Sequence, residues 1–216
     1  MSIVIHGHLR RGTLAVDLDL EIPTGLTTLT GPNGVGKTSL LRLIAGLDAL
    51  DHGTLSINGS TVDDPAARRF VPAHQRPIAM TFQELRLFPH LTSLDNVAFP
   101  LRRTGHSRTD ARSQARALLE RVGAGDISDH HPERLSGGQA QRVALARSLA
   151  AQPDVLLLDE PLAAVDAESR DDLRTLLTQP DLAPTVLWVS HDPNDSHLTG
   201  SRIVASHDGI GHTQHS

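Results

Sequence analysis

Large apolar residues occupy every second position over 14–22 and alternate with Ala15 and three acidic residues, which predicts a half-buried β-strand. The apolar positions of this strand are Leu14, Val16, Leu18, Leu20 and Ile22. A short run at 26–30, with three threonines, predicts a second strand. A glycine-rich loop at 31–36 follows, and apolar residues then recur at helical spacing over 40–47. The chain therefore begins with a strand–loop–helix unit.

The rest of the chain alternates short apolar strands with longer helical patterns. Strands are predicted at 54–57, 78–82, 155–158, 185–189 and 202–205, and helices at 110–122, from about 136, and at 167–178. Thr109 is expected to cap the first of these helices and Gly123 to end it, and a polar tail is expected after 205. Continuous apolar strands between helices indicate an α/β fold with a buried, mostly parallel sheet. The helical block in the middle is expected to be an inserted subdomain.

Composition narrows the classes of function. The 216 residues include four Phe, one Trp and no Tyr, so the core must be aliphatic. A net charge of −5 argues against a nucleic-acid partner bound by bulk electrostatics. The absence of cysteine excludes disulfides, thiolate metal sites and cysteine nucleophiles. No apolar run approaches the roughly 20 residues of a membrane span and no signal peptide is visible, so we expect a soluble chain that stays where it is made.

A complete phosphate-binding pattern lies between the second strand and the first helix. The pattern G-x-x-x-x-G-K-[ST] is matched by Gly31, Pro32, Asn33, Gly34, Val35, Gly36, Lys37 and Thr38, and Ser39 follows it. Glycines let successive backbone N–H groups point at phosphate oxygens, and the helix N-terminus adds its positive dipole end. We expect Lys37 to reach the β- and γ-phosphates and Thr38 to hold Mg²⁺. The alternative, a glycine turn with a chance lysine, does not account for the strand before and the helix after.

Two carboxylates follow the continuous apolar strand at 155–158. Parallel strands present their carboxyl ends at one edge of a sheet, so Asp159 and Glu160 are expected near the phosphate-binding loop. Asp159 would bind Mg²⁺, directly or through water, and Glu160 would polarise the attacking water as the general base. The alternative is an ordinary acidic turn after a strand.

A third motif indicates the family. Leu135, Ser136, Gly137, Gly138 and Gln139 open a helix 24 residues before Asp159, and they resemble the signature of ATP-binding cassette ATPases. Gln83 resembles the Q-loop glutamine of this family, 162–166 its D-loop and His191 its switch histidine. The resemblance implies a P-loop NTPase core with a mostly parallel central sheet, an N-terminal antiparallel β region and an inserted α-helical subdomain.

The resemblance also implies cofactors, roles and a domain division. ATP and Mg²⁺ are the expected cofactors, and His191 is expected to contact the γ-phosphate. Gln83 is expected to contact Mg²⁺ or water and to sense a membrane partner. The chain is expected to be one domain over 1–216, with a core at about 1–83 and 151–216, a helical subdomain at about 84–150, and no C-terminal regulatory domain.

The signature implies a second subunit. Ser136 is an expected N-cap, and the glycines after it leave backbone N–H groups bare at a helix N-terminus, which attracts anions. In the family this second anion site holds the nucleotide of a partner. The resemblance therefore implies a head-to-tail homodimer or paired cassette, with each ATP held between one phosphate-binding loop and the partner's signature.

The segment after Gln83 resembles that of bacterial importer ATPases, and molybdate-type cassettes share its form closely. In the family this stretch, from Glu84 to Asn96, meets the transmembrane permease subunits. The resemblance therefore implies a peripheral position on the cytoplasmic face of the membrane. It also implies a solute-binding protein as an indirect partner. Iron, sulfate, thiamine and polyamine importers stay open as alternatives. An exporter ATPase, a non-transport cassette and an inactive regulatory cassette are the rival interpretations.

One departure from the family pattern concerns the base of the nucleotide. The family usually stacks adenine on an aromatic ring about 20 residues before the phosphate-binding loop, but no Phe, Trp or Tyr precedes Phe70 here. The corresponding stretch at 8–11 offers only His8, Leu9, Arg10 and Arg11. We therefore expect weak discrimination between adenine and guanine.

Overall fold

The secondary structure alternates strands and helices along the chain, as the sequence pattern predicts. A computed structural model describes residues 2–12, 14–163, 165–179, 181–192, 195, 201–206 and 209–215. The strands are β1 (Ile3–Arg11), β2 (Leu14–Ile22), β3 (Gly25–Thr30), β4 (His52–Ile57), β5 (Ser60–Asp64), β6 (Arg69–Phe70), β7 (Ile78–Thr81), β8 (Val155–Asp159), β9 (Thr185–Val189), β10 (Ser201–Ser206) and β11 (Gly209–His215). The helices are α1 (Lys37–Ile44), α2 (Ser93–Arg103), α3 (Arg108–Arg121), α4 (Gly137–Leu149) and α5 (Ala167–Leu177), with short 3₁₀ turns at Ala73–Gln75 and Pro132–Arg134.

The described strands form one sheet with an antiparallel and a parallel part. Their order is β6-β5-β4-β1-β2-β11-β10-β3-β9-β8-β7. Strands β1, β2, β4, β5 and β6 pair antiparallel with their neighbours among themselves. Strands β10, β3, β9 and β8 pair parallel in that order. This arrangement confirms the predicted α/β architecture with an N-terminal antiparallel β region and a parallel core sheet.

The chain divides into two compact units. The first comprises 1–80, 154–160 and 183–216, and the second comprises 81–153 and 161–182. The core of the first unit is aliphatic, as the composition requires, and is built from buried residues such as Ile5, Leu29, Leu40, Leu157 and Leu187. In the second unit, helices α2, α3 and α4 pack against one another, and α5 contacts α4. The second unit thus includes 161–182, which lie outside the expected helical subdomain at 84–150.

Two details differ from the local sequence predictions. Ser107, not Thr109, caps α3: its side chain accepts a hydrogen bond from the backbone N–H of Asp110. Gly123, just beyond this helix, has φ of 69°, as expected of a residue that ends a helix. The segment predicted as a polar tail contains β11, whose backbone pairs with β10 and with β2.

Candidate functional site

The phosphate-binding loop joins β3 directly to α1, and its glycines have conformations that other residues rarely adopt. Gly31, Gly34 and Gly36 have φ of 151°, 82° and 102°. A Cβ atom on Gly31 would lie 2.5 Å from the carbonyl oxygen of Ala205. Glycine is therefore required here both for the path of the backbone and for its close approach to β10. The loop ends at Gly36, and α1 begins at Lys37 without a side-chain cap.

The ammonium group of Lys37 lies inside this loop. Nζ donates hydrogen bonds to the carbonyl oxygens of Gly31 and Pro32, both at 2.8 Å. Burial lowers the pKa of Lys37, and the nearby carboxylates of Glu160 and Asp159 oppose this shift. The carbonyl groups accept hydrogen bonds from the ammonium but do not neutralise its charge. Phosphate oxygens could replace them, because they accept the same hydrogen bonds and also carry negative charge.

Thr38 and Asp159 bring two oxygen ligands together. The Thr38 hydroxyl donates to Oδ1 of Asp159 at 3.3 Å. Asp159 ends β8 and is only 6% exposed, and burial raises the pKa of its carboxyl group, with the neighbouring Glu160 acting in the same direction. A hydroxyl next to a desolvated carboxylate fits Mg²⁺, which prefers oxygen ligands. The described residues contain no cluster of three or more His, Asp or Glu side chains that could hold a metal.

Glu160 and His191 meet at the same edge of the sheet. The parallel pairing of β8 with β9 sets Asp159 opposite Val189, and the backbone N–H of Glu160 donates to the Val189 carbonyl at 3.1 Å. His191 Nδ1 then lies 3.5 Å from Oε2 of Glu160. Glu160 has φ of 48°, a left-handed conformation that is costly for a side chain of this kind. The histidine is exposed and the carboxylate is mostly shielded.

A hydrogen-bonded turn that the sequence analysis did not identify holds the chain next to His191. The Ser190 hydroxyl donates to Oδ2 of Asp195 at 2.5 Å and accepts from the backbone N–H of Asp192 at 3.0 Å. Ser190 and Asp195 are both buried. The sequence signals of these bonds are a serine directly before the histidine and an aspartate four residues after it.

The signature lies at the start of α4, in the second unit. Ser136 is the N-cap and forms a capping box with Gln139: its hydroxyl accepts from the Gln139 N–H at 3.2 Å, and its own N–H donates to Oε1 of Gln139 at 3.0 Å. Gly137 is exposed, whereas Gly138 is buried, and a Cβ on Gly138 would lie 3.5 Å from Cβ of Ser169. The predicted N-cap is therefore confirmed. This helix start combines a positive dipole end with small residues at the surface.

Gln83 also lies in the second unit, in a bend just after β7, and its side chain is exposed. The residues from 84 to 92 have no regular secondary structure. Their apolar side chains Leu85, Leu87, Phe88 and Leu91 are half-buried. The ring of Phe88 lies 4.8 Å from that of Phe99, which is 39% exposed.

The predicted site residues thus form one group in each unit. The first unit brings together Lys37, Thr38, Asp159, Glu160 and His191. The second unit carries Gln83 and the signature. Of the expected D-loop at 162–166, residue 164 lies outside the described residues. The Val165 N–H donates to the Leu162 carbonyl at 3.2 Å, so the described part of this segment turns back on itself.

The stretch expected near adenine has partners of its own. The ring of His8 stacks on that of His52 with centroids 5.1 Å apart, and its Nδ1 lies 2.7 Å from Oδ1 of Asp17. Arg11 lies 3.4 Å from a carboxylate oxygen of Asp48 and is about half exposed. Of the candidates for stacking on a purine, His8 is therefore already stacked within the protein.

Comparison with known proteins agrees with this geometry. The sequence profile described as ABC transporter matches residues 16–163. The chain belongs to the ABC transporter family. The Fe(3+) ions import ATP-binding protein FbpC of Rhizobium etli is 43% identical over 200 residues, which are 91% of this chain and 55% of that protein. The molybdenum import ATP-binding protein ModC of Methylococcus capsulatus is 42% identical over 90% of this chain and 54% of its own length.

Other relatives extend this picture. The sulfate/thiosulfate import ATP-binding protein CysA of Mycobacterium bovis is 43% identical over 89% of this chain and 54% of its own length. This ABC transporter family member therefore spans about half the length of the curated relatives it matches. A solved dimer of the ATP-binding cassette MJ0796 bound to ADP and Pi has a TM-score of 0.84 and 27% identity, covering 100% of this chain and 98% of that one. Among the described residues, no helix is long and apolar enough to cross a bilayer.

Proposed function

We propose that this chain is an ATP-hydrolysing subunit that powers import of a small solute through separate transmembrane subunits. The observation that carries the proposal is the convergence of a lysine, a hydroxyl, two carboxylates and a histidine at one sheet edge beside a glycine-rich loop. Each of these groups has a use in phosphoryl transfer to water. The named functions of the relatives support the import role, since they are ATP-binding proteins for iron, molybdenum and sulfate import.

Each residue has a distinct task in the proposed reaction. The loop N–H groups and Lys37 would bind the phosphates of ATP, and Thr38 and Asp159 would hold Mg²⁺, which neutralises charge on the transferred group. Glu160 would accept a proton from the attacking water. His191, 3.5 Å from Glu160, would orient the water and the γ-phosphate. The pair is close enough to act on one water molecule.

The signature completes the site in a second copy or a paired cassette. Its capped helix start would offer backbone N–H groups and a positive dipole end to an anion. A head-to-tail dimer would place these groups on the partner's ATP. Solved MJ0796 structures described as dimeric support this arrangement.

The contact with the permease is proposed to run through residues 84–96. This segment has half-buried apolar side chains and follows Gln83 directly, so a displacement there would reach a residue expected at the nucleotide. The proposal places the subunit on the cytoplasmic face of the membrane, with a solute-binding protein as an indirect partner. Molybdate, iron and sulfate all fit the named relatives, and the permease and binding protein would select among them.

Replacement of Lys37 tests the proposal, and no second lysine of the chain can substitute for it. Lys37 is the single lysine of the chain. Lys37→Ala should reduce MgATP hydrolysis to background because it removes the ammonium group proposed to bind the β- and γ-phosphates. The control is Arg69→Ala, an exposed cation on β6 in the same unit, which should hydrolyse ATP like the wild type. Wild-type turnover by Lys37→Ala would refute the assignment.

A further inference from the structure

Arg147 makes an unusual set of contacts in the second unit. It lies in the last turn of α4, the helix that begins with the signature. Its Nη1 donates to the carbonyl oxygen of Arg86 at 2.7 Å, and its Nη2 donates to that of Leu85 at 2.8 Å. The guanidinium carbon also lies 5.5 Å from the ring centroid of Phe88. One side chain of α4 thus contacts three of four consecutive residues in the segment that follows Gln83.

These contacts are not those of an ion pair. Among the described residues, no carboxylate lies within salt-bridge distance of Arg147, and burial lowers the pKa of its guanidinium. Its two terminal nitrogens each donate to one of two consecutive main-chain carbonyls, which matches the planar, fixed fork of a guanidinium group. Arg86 itself has φ of 49°, a left-handed conformation that needs support from its surroundings. Arg147 supplies that support.

The other side of the same segment is tied to α2. Asn96 is fully buried, and its Oδ1 accepts from the Phe88 N–H at 2.8 Å. Its amide group donates to the carbonyls of Phe88, Leu91 and Thr92 at 3.0–3.1 Å. The first part of the segment is therefore bonded to α4 by Arg147, and the second part to α2 by Asn96. Residues 84–92 have no regular secondary structure, so these side chains help to determine their path.

We propose that Arg147 is a positioning residue that transmits movement of the permease-contact segment to the signature. This inference rests on the proposed function, which assigns 84–96 to the permease and Ser136–Gln139 to the partner's ATP. Helix α4 has 13 residues and is about 20 Å long, and its packed helical backbone moves as one body. A displacement of Leu85 and Arg86 would pull on one end of α4 through two charge-assisted hydrogen bonds, and the signature at the other end would shift with it.

The first experiment compares two arginines of the same helix. Arg142 is the matched control, since it also donates to a main-chain carbonyl, that of Val122 at 2.8 Å, but it holds the end of α3. The measurement is the ATPase rate of the complex purified with its membrane subunits, divided by the rate of the isolated subunit. Arg147→Met should lower this ratio at least tenfold, while Arg142→Met should leave it within about twofold of the wild type. Arg147→Lys, which keeps the charge but loses the planar fork, should give an intermediate ratio.

The second experiment needs no membrane partner. The chain has no cysteine, so spin labels can be attached to cysteines introduced at Glu84 and Ala140 in the isolated protein. The distance distribution between the labels should broaden in Arg147→Met and stay narrow in Arg142→Met. An unchanged ATPase ratio in Arg147→Met, an equal loss in both variants, or equally broad distributions in wild type and variant would each overturn the inference. If the labels respond but no membrane complex exists, the positioning role stands and the proposed transport function fails.

Discussion

Glu160 combines two properties that can be separated by substitution. It is the proposed general base, and its φ of 48° is a left-handed conformation. Such a conformation costs most L residues roughly 1–2 kcal/mol, whereas Asn tolerates it because its short polar side chain bonds locally. Glu160→Gln keeps both the shape and the strain but removes the base. Glu160→Asn removes the base and part of the strain. Comparison of the two neutral variants isolates the backbone contribution.

The expected magnitudes follow from these two effects. Loss of a general base typically slows the reaction about 10²–10⁴-fold, so both variants should hydrolyse ATP at least about a hundredfold more slowly. Relief of part of the strain should make Glu160→Asn more stable than Glu160→Gln by about 0.5–1 kcal/mol. For a domain of this size, that difference corresponds to a rise in Tm of about 1–4 °C.

Three measurements check these expectations. Single-turnover phosphate release reports the chemical step, and thermal unfolding without nucleotide reports stability. Light scattering at saturating MgATP should show dimers of Glu160→Gln, because in the proposed arrangement ATP would be bound between the subunits and would not be consumed. Hydrolysis by Glu160→Gln within tenfold of the wild type would refute the base assignment. A monomeric Glu160→Gln protein would count against the shared ATP site, and a lower Tm for Glu160→Asn than for Glu160→Gln would refute the strain argument.

Two further predictions concern partners and base selectivity. Phe88→Asp should release the protein from membranes, since it would place a charge in the proposed permease contact. The control is Phe70→Asp, at a ring that is 45% exposed in the other unit, and this variant should stay with the membranes. Equal membrane retention of Phe88→Asp and the wild type in fractionation would reject this surface. KM for ATP and GTP should differ by less than about tenfold, or roughly 1.4 kcal/mol, because His8 stacks on His52 and Arg11 would not distinguish the two purines strongly. A hundredfold preference for ATP in steady-state kinetics of the isolated protein would contradict this view of the adenine site.

The groups at the first site were predictable because each lies in a contiguous motif whose local structure is determined by its own residues. A strand, a glycine loop and a helix must place Lys37 and Thr38 together, and an apolar strand must carry Asp159 and Glu160 to the edge of the sheet. The proximity of His191 to Glu160 followed from a further rule, that neighbouring parallel strands end at the same edge. The register of β8 with β9 provides that proximity.

The misses have equally local causes. Ser107 and Thr109 are both competent caps, and Ser107 is used because Asp110 accepts a hydrogen bond from its hydroxyl at 2.7 Å while donating its N–H in return. Strand β11 lacks a period-two apolar pattern, and its backbone pairs antiparallel with β10, the strand before it, and parallel with β2, which is distant in sequence. The contacts of Arg147 join residues 61 and 62 positions apart through main-chain carbonyls, which leave no mark on side-chain composition.

The residues proposed to bind ATP are also residues that cost the folded protein free energy. Lys37 and Asp159 are charged groups that burial disfavours, and Glu160 adds backbone strain beside them. The aliphatic core under this edge, with Leu157 and Leu187 fully buried, can support such local costs. A triphosphate with Mg²⁺ would offset them, because it supplies anions to the lysine and a cation to the carboxylates. Binding free energy would then come partly from relief of costs already present in the protein. The residues proposed to bind ATP are therefore also expected to limit the stability of the free subunit.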